Sequence, residues 1–224
     1  IWSRLVGSEM CIRDSSQGWI VAGCSRRNNG LQHENYYHFN CDVSDEAAVI
    51  KTIKTVKKSL QPIKVLINNA GTASMNHLLL TPLNSYRDIF QTNVQGTFLM
   101  LRETAKQMSR TGGGRIINFT SIANPLNLEG EAIYAASKAA VESLTKTAAK
   151  ELAEMNITVN AIGPTPVETD LIKLIPKEKI DSLVKQQSIQ RLGTLEDILN
   201  AVDFFIKPQS DFITGQILYL GGVN

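Results

Sequence analysis

The chain has 224 residues, 43% of them hydrophobic and 20% charged, with a net charge of +2. That length suits one domain with a sizeable core, and the scattered lysines form no basic stripe, which excludes a nucleic-acid platform. No apolar run approaches the ~18 residues of a membrane span, and Cys11, Cys24 and Cys41 lack metal-ligand spacing, which points to free thiols in a reducing, cytoplasmic compartment.

From Gly18 onward, short apolar runs alternate with helical patterns. This is the signature of repeated βα units, hence of a single α/β domain with a doubly wound parallel sheet covered on both faces. The first convincing strand spans 19–23 (WIVAG), followed by Cys24, Ser25, Arg26 and Arg27. A second strand at 36–41 ends at Asp42-Val43-Ser44-Asp45, where Ser44 or Asp45 can cap a helix running through Leu60. A third at 63–67 leads into Asn68-Asn69-Ala70-Gly71. Thr81 is the expected N-cap, and Pro82 the first-turn residue, of a long helical region reaching about Met108. Gly112-Gly113-Gly114 turns into a strand at 115–120. A helix over 132–155 carries the apolar stripe Val141, Leu144, Ala148, Leu152 and Met155. Residues 157–161 form another strand and 163–169 a loop. Two shorter helices follow near 177–187 and 194–206, and 216–220 is the last strand.

The stretch 114–138 gathers reacting groups. Ser121 sits just past the carboxyl end of a strand, while Tyr134 and Lys138, four residues apart, share one helix face across a single turn. A phenol titrates near ~10, and a nearby cation stabilises the phenolate and lowers that value, so Tyr134 can exchange a proton near neutrality. With the Ser121 hydroxyl hydrogen-bonding a carbonyl oxygen, such a site reduces a carbonyl or oxidises an alcohol. Taken singly, each residue also fits an ordinary role: a half-buried aromatic, a solvated helix charge, a loop serine.

The spacing from Ser121 to Tyr134, together with NNAG at 68–71 and TNVQG around Asn93, resembles the classical short-chain dehydrogenase/reductases. Within them the chain looks closest to the 3-oxoacyl-acyl-carrier-protein reductase-like branch. The resemblance covers residues 18–223 and implies a Rossmann-type sheet and a catalytic tetrad. In it Tyr134 is the acid/base, Lys138 lowers its pKa and binds the nicotinamide ribose, Ser121 orients the carbonyl, and Asn93 maintains a proton relay. It also implies that Asp42 and Val43 contact the adenine, and that Asn69, Ala70 and Gly71 let the chain pass close to the cofactor. Asp42 could equally serve only as part of a helix cap. Pro164, Val167 and Thr169 fit the family's nicotinamide-side loop, but Thr165 stands where a glycine is usual and Pro166 adds stiffness. That loop is expected to be less mobile than usual.

Arg26 and Arg27 lie where related enzymes bind the adenosine ribose, and no carboxylate occupies that end. An arginine there pairs with a 2′-phosphate, so NADP(H) is favoured over NAD(H), the alternative being a solvated turn pair. His33, His38 and His77 have no ligand spacing, and no metal is expected. The implied substrate is a small carbonyl compound or acyl thioester. No membrane or nucleic-acid partner is expected. Family likeness adds a homotetramer that pairs the helices around 91–108 and 132–155.

The pattern departs from the family at its start. A buried strand, a TGxxxGxG turn whose amides hold the cofactor pyrophosphate, and a helix are expected there. Residues 1–17 contain only Gly7, and a strand at 1–6 would bury Arg4 at the sheet centre. That unit is therefore expected to be absent or replaced, with 1–17 a non-native segment and 18–224 the NADP-binding domain. Weak NADPH binding and low stability would follow. A rival reading is a catalytically silent nucleotide-binding or assembly subunit of the same fold.

Overall fold

The computed structural model describes residues 3–28, 30–167 and 177–223. Six strands run through them: β1 Val21–Ser25, β2 Tyr36–Asn40, β3 Val65–Asn68, β4 Gly114–Phe119, β5 Ile157–Gly163 and β6 Ile217–Tyr219. Every pairing is parallel, but the strands fall into two sheets, β1 with β2, and β3-β4-β5-β6 in that order. Parallel neighbours need crossovers, and helices supply them. They are α1 Ser3–Ser16, α2 Glu46–Ser59, α3 Leu83–Phe90, α4 Gly96–Met108, α5 Ala123–Leu126, α6 Ala132–Leu152, α7 Lys177–Lys185 and α8 Leu195–Ile206.

The helices cover both faces, as the expected α/β fold requires. On one face α2, α4 and α6 bury Val49, Leu99, Met108 and Ala148 against Leu66, Ile116 and Val159 of the larger sheet, and Cys24 and Cys41 beside the smaller one pack into the same cluster. On the other, α8 buries Ile198, Val202 and Phe205 against Ile117, Phe119 and Ile162. All seven residues of β5 are buried, as befits a parallel strand covered on both sides.

Among the described residues no strand precedes β1. Residues 3–16 are helical instead, a state the sequence reading did not assign to them. Helix α1 contacts β1 and β2, while its Met10 joins the cluster on α8 and Arg13 pairs with Asp203 of that helix, so α1 spans the two sheets on one face. It stops in a Schellman motif: Gly18 takes φ 89°, its amide bonds to Ser15 and that of Trp19 to Asp14. The turn leaves Trp19 and Ile20 exposed, which is why β1 starts two residues later than its apolar run suggests.

Two other expectations shift, and one open alternative is decided. Thr81 caps nothing in α3; its amide and hydroxyl close the short 3-10 turn Leu78–Leu80 by bonding to Leu78 and His77, and Pro82 takes the N-cap position. Asp45, not Ser44, caps α2, accepting from the Ala48 amide at 3.1 Å. On α6 the buried face includes Val141, Thr145, Ala148 and Ala149 as well as the polar Ser137, Lys138 and Glu142, whereas Met155 lies beyond the helix and is exposed.

A buried polar chain sets the height of α6 over the sheet. Asn68 and Asn118 face each other in register, and Nδ2 of Asn68 donates to Oδ1 of Asn118 at 2.9 Å. Asn118 in turn donates to the Thr145 hydroxyl at 2.9 Å. Fully satisfied, such a chain fixes one arrangement of strand and helix.

Candidate active site

Strand β4 ends at Phe119, and Ser121 follows at the carboxyl edge of the sheet, where open α/β folds place their ligands. The Ala123 amide at the start of α5 donates to Ser121 Oγ at 3.2 Å. Tyr134, in the first turn of α6, hydrogen-bonds the same hydroxyl. One turn on, Lys138 is 5% exposed; its Nζ donates to the Phe119 carbonyl at 2.8 Å and stands 5.7 Å from the Tyr134 ring centre. Serine, phenol and ammonium thus share one cleft, and β4 anchors two of the three.

Asn93 reaches this cleft by a local distortion. Residues Gln91–Gln95 form a π-turn between α3 and α4, a device common at functional sites. Asn93, fully buried, donates to the Thr72 carbonyl at 2.9 Å and to Ser137 Oγ at 3.0 Å, and accepts from the Thr72 amide at 2.8 Å. Its amide therefore pins the loop after β3. In that loop Gly71 lies beside both groups: a Cβ on it would make ordinary contact with Lys138 Nζ at 3.5 Å and Asn93 Oδ1 at 3.4 Å.

Burial dominates the titrations. It pushes the Tyr134 phenol up to about 12, although the Ser121 hydroxyl opposes it, and pushes Lys138 down to about 8. The phenol was expected to be lowered by the ammonium. Here Nζ is engaged by the Phe119 carbonyl and lies over the ring, so desolvation wins. A phenol protonated throughout the physiological range is a proton donor, the form that carbonyl reduction consumes.

The remaining candidates line the sheet's carboxyl edge. Arg26 is exposed beyond β1. Burial pushes the Asp42 carboxyl up, but the Ser44 hydroxyl (2.7 Å) and amide (3.0 Å), with Arg26 nearby, hold it below its ordinary value. Asp42 does not cap α2. Val43 packs on Gly96 of α4, where a Cβ would meet its Cγ2 at 2.6 Å, and it shares a small crevice with Asn68 and Ala70. Asn69 is half-buried beside Ala70. Among the described residues no group of three or more histidine, cysteine and acidic side chains could hold a metal ion.

After β5 the chain stays tethered. The Pro164 carbonyl accepts from the Ile122 amide at 3.5 Å, the Pro166 carbonyl from Gly193 at 2.9 Å, and Val167 bridges to Gly193. Thr165, 6% exposed, fits because glycines face it: a Cβ on Gly193 would meet Thr165 Oγ1 at 2.8 Å, and one on Gly221 its Cγ2 at 2.8 Å. Thr169 lies outside the described residues. Overpacking costs typically ~1–3 kcal/mol. We therefore expect Gly193→Ala to destabilise the chain by about that amount in urea unfolding, and Thr165→Ala in the same background to restore most of the loss.

Sequence reasoning missed Asn118 and Ser137. Asn118 is a polar residue inside an otherwise apolar buried run, which was the available signal; Ser137 carries no such signal.

A short-chain dehydrogenase family model, described as enoyl-(acyl carrier protein) reductase, matches residues 17–224. The chain belongs to the short-chain dehydrogenase/reductases. Like other members of the family it is an oxidoreductase. It is 32% identical to the 3-oxoacyl-acyl-carrier-protein reductase FabG of Staphylococcus epidermidis, over 98% of this chain and 94% of that protein. With the Escherichia coli FabG it shares 29%, over 98% and 93%. Among solved short-chain dehydrogenase/reductase-like structures, ElxO with NADP bound matches with a TM-score of 0.88 and 28% identity, covering 96% of this chain and 92% of that one. NAD+-bound xylitol dehydrogenase matches at 0.89 and 27%, covering 97% and 94%.

Proposed function

We propose that this reductase transfers hydride between NADP(H) and a ketone or secondary alcohol, with a 3-oxoacyl thioester as the substrate class. The observation that carries the reading is the convergence of Ser121, Tyr134 and Lys138 at the carboxyl end of β4. A carbonyl oxygen held between the two hydroxyls is oriented by Ser121 and receives its proton from Tyr134. Lys138 keeps a positive charge beside the ring as that proton leaves, and Asn93 holds the loop that borders it. The nicotinamide supplies or takes the hydride. The FabG relatives support the thioester.

The residues present fit the two ends of the dinucleotide. Gly71 stands beside Lys138 and Asn93, and Asn69, Ala70, Pro164 and Val167 line the same edge. Arg26 offers a guanidinium for the 2′-phosphate, with Asp42 and Val43 toward the adenine. Charged hydrogen bonds contribute ~1.5–3 kcal/mol. Arg26→Asp is therefore expected to weaken NADPH about 10- to 100-fold, and NADH little, in fluorescence titrations. An unchanged NADPH to NADH ratio would leave Arg26 a solvated turn residue.

The protein is assigned to the cytoplasm as a homo-oligomer, tetrameric by family likeness. Support comes from the free thiols, with burial holding Cys24 up at about 12, and from the apolar groove of Tyr86, Phe90, Val94 and Phe98 across α3 and α4. No helix among the described residues is long and apolar enough to cross a membrane. One feature favours the rival reading of a silent nucleotide-binding subunit: the sheet is interrupted, and no glycine-rich turn precedes β1 among the described residues. Following NADPH absorbance with a panel of ketones and acetoacetyl thioesters separates the two. Turnover supports the enzyme, and cofactor binding without turnover the silent subunit.

A further inference from the structure

Helix α6 carries a third ionisable group on the face that presents Tyr134 and Lys138. Glu142 lies one turn beyond Lys138 and two beyond Tyr134, is 7% exposed, and stands apart from the proton-transfer groups. A buried carboxylate is costly unless donors satisfy its oxygens. Three do so here. Oε1 accepts from Thr120 Oγ1 at 2.5 Å and from the Tyr219 hydroxyl at 2.6 Å, and Oε2 accepts from Asn124 Nδ2 at 2.8 Å.

The identity of the donors matters. Thr120 immediately precedes Ser121 and Asn124 follows it by three residues, so a single carboxylate grips the chain on both sides of the serine. Tyr219 comes from β6, and its ring lies over Gly163, where a Cβ would meet it at 2.3 Å. Burial and the neighbouring carboxylate both push this phenol up, so it stays a donor. Hydrogen bonds to an ionised acceptor are roughly twice as strong as neutral ones.

We propose that Glu142 is a positioning residue, which fixes the Ser121 hydroxyl in the cleft by holding Thr120 and Asn124, with Tyr219 locking the carboxylate from the last strand. The proposal rests on the reading of Ser121 as the group that orients the carbonyl. It assigns the Tyr134 helix a second task, since the face that delivers the proton also steadies the hydroxyl opposite.

The test is steady-state kinetics of the full chain with NADPH and an acetoacetyl thioester, with thermal unfolding as the control for folding. Glu142→Leu is expected to lower kcat about 30- to 100-fold and leave the KM for NADPH within about twofold. Glu142→Gln should lose only about threefold, because its carbonyl oxygen still accepts from Thr120 and Tyr219 and the Asn124 amide can turn over. Asn124→Ala, which removes one arm, should fall between them. Ser121→Ala alone should cost about 100-fold, and in that background Glu142→Leu or Asn124→Ala should cost less than about threefold more. Full kcat in a folded Glu142→Leu or Asn124→Ala variant would overturn the proposal, as would losses that multiply in the double variants. If Glu142→Leu does not fold, the Asn124→Ala pair decides on the same terms. Wild-type turnover that survives Ser121→Ala, or no wild-type turnover at all, would instead remove the reading of Ser121 on which the proposal stands.

Discussion

Tyr134→Phe is expected to lower kcat by about 10²- to 10⁴-fold, the usual contribution of a positioned general acid, while NADPH binding changes less than about threefold. The phenyl ring keeps the packing and its distance from Lys138; only the hydroxyl shared with Ser121 is lost. Because burial holds the phenol at about 12, reduction should not fall as pH drops through neutrality. Oxidation of the alcohol needs the phenolate and should rise with pH across the whole measurable range. Stopped-flow kinetics in both directions, with and without the hydroxyl, reads this directly. A Tyr134→Phe enzyme within tenfold of wild type would move the proton source elsewhere.

The second large effect is on stability. Lys138 is buried at a site that lowers its pKa from 10.5 to about 8, which corresponds to about 3 kcal/mol against the folded state below pH 8. The unfolded chain keeps that proton up to about 10.5, the folded chain only to about 8. Between the two, folding releases a proton and stability climbs with pH. Tyr134 acts in the opposite sense: its folded value of about 12 exceeds the unfolded 10.0, so from pH ~10 upward it makes stability fall. Lys138→Met removes the ammonium and keeps most of the volume, at the cost of a charged hydrogen bond to the Phe119 carbonyl, worth ~1.5–3 kcal/mol. The variant should be inactive, yet no less stable than wild type at pH 7 and up to about 1.5 kcal/mol more so, and should lack the rise between pH 8 and 10. Urea unfolding across that range checks both points. A wild-type profile flat from pH 7 to 10 would mean that the ammonium is better solvated than its burial implies.

Much of this molecule can be read from local pattern. The strands around Ile116, Val159 and Leu66 are short apolar runs bounded by turn residues, and the NNAG run and the Tyr134–Lys138 spacing carry their geometry in the sequence. Features decided by distant partners are harder to read. Asn93 is legible only through the family pattern; taken alone it is an indifferent helix residue, and its bonds to the Thr72 backbone across the cleft leave no local trace. Thr165 looks like a departure from the family until Gly193 and Gly221 are seen to face it. The helical state of residues 3–16 depends on packing against α8 and both sheets, since the segment has no strong amphipathic pattern of its own.

The break between β1 and β3 has a mechanical consequence. Arg26 and Asp42 follow strands of one sheet, Ser121 a strand of the other, and among the described residues no ladder of main-chain bonds joins the two. Packed side chains yield more easily than ladders, so the two platforms are free to drift slightly apart or together. A dinucleotide spanning both would act as a tie rod: part of its binding free energy goes to setting their separation, and a molecule that reaches only one end leaves the span unset.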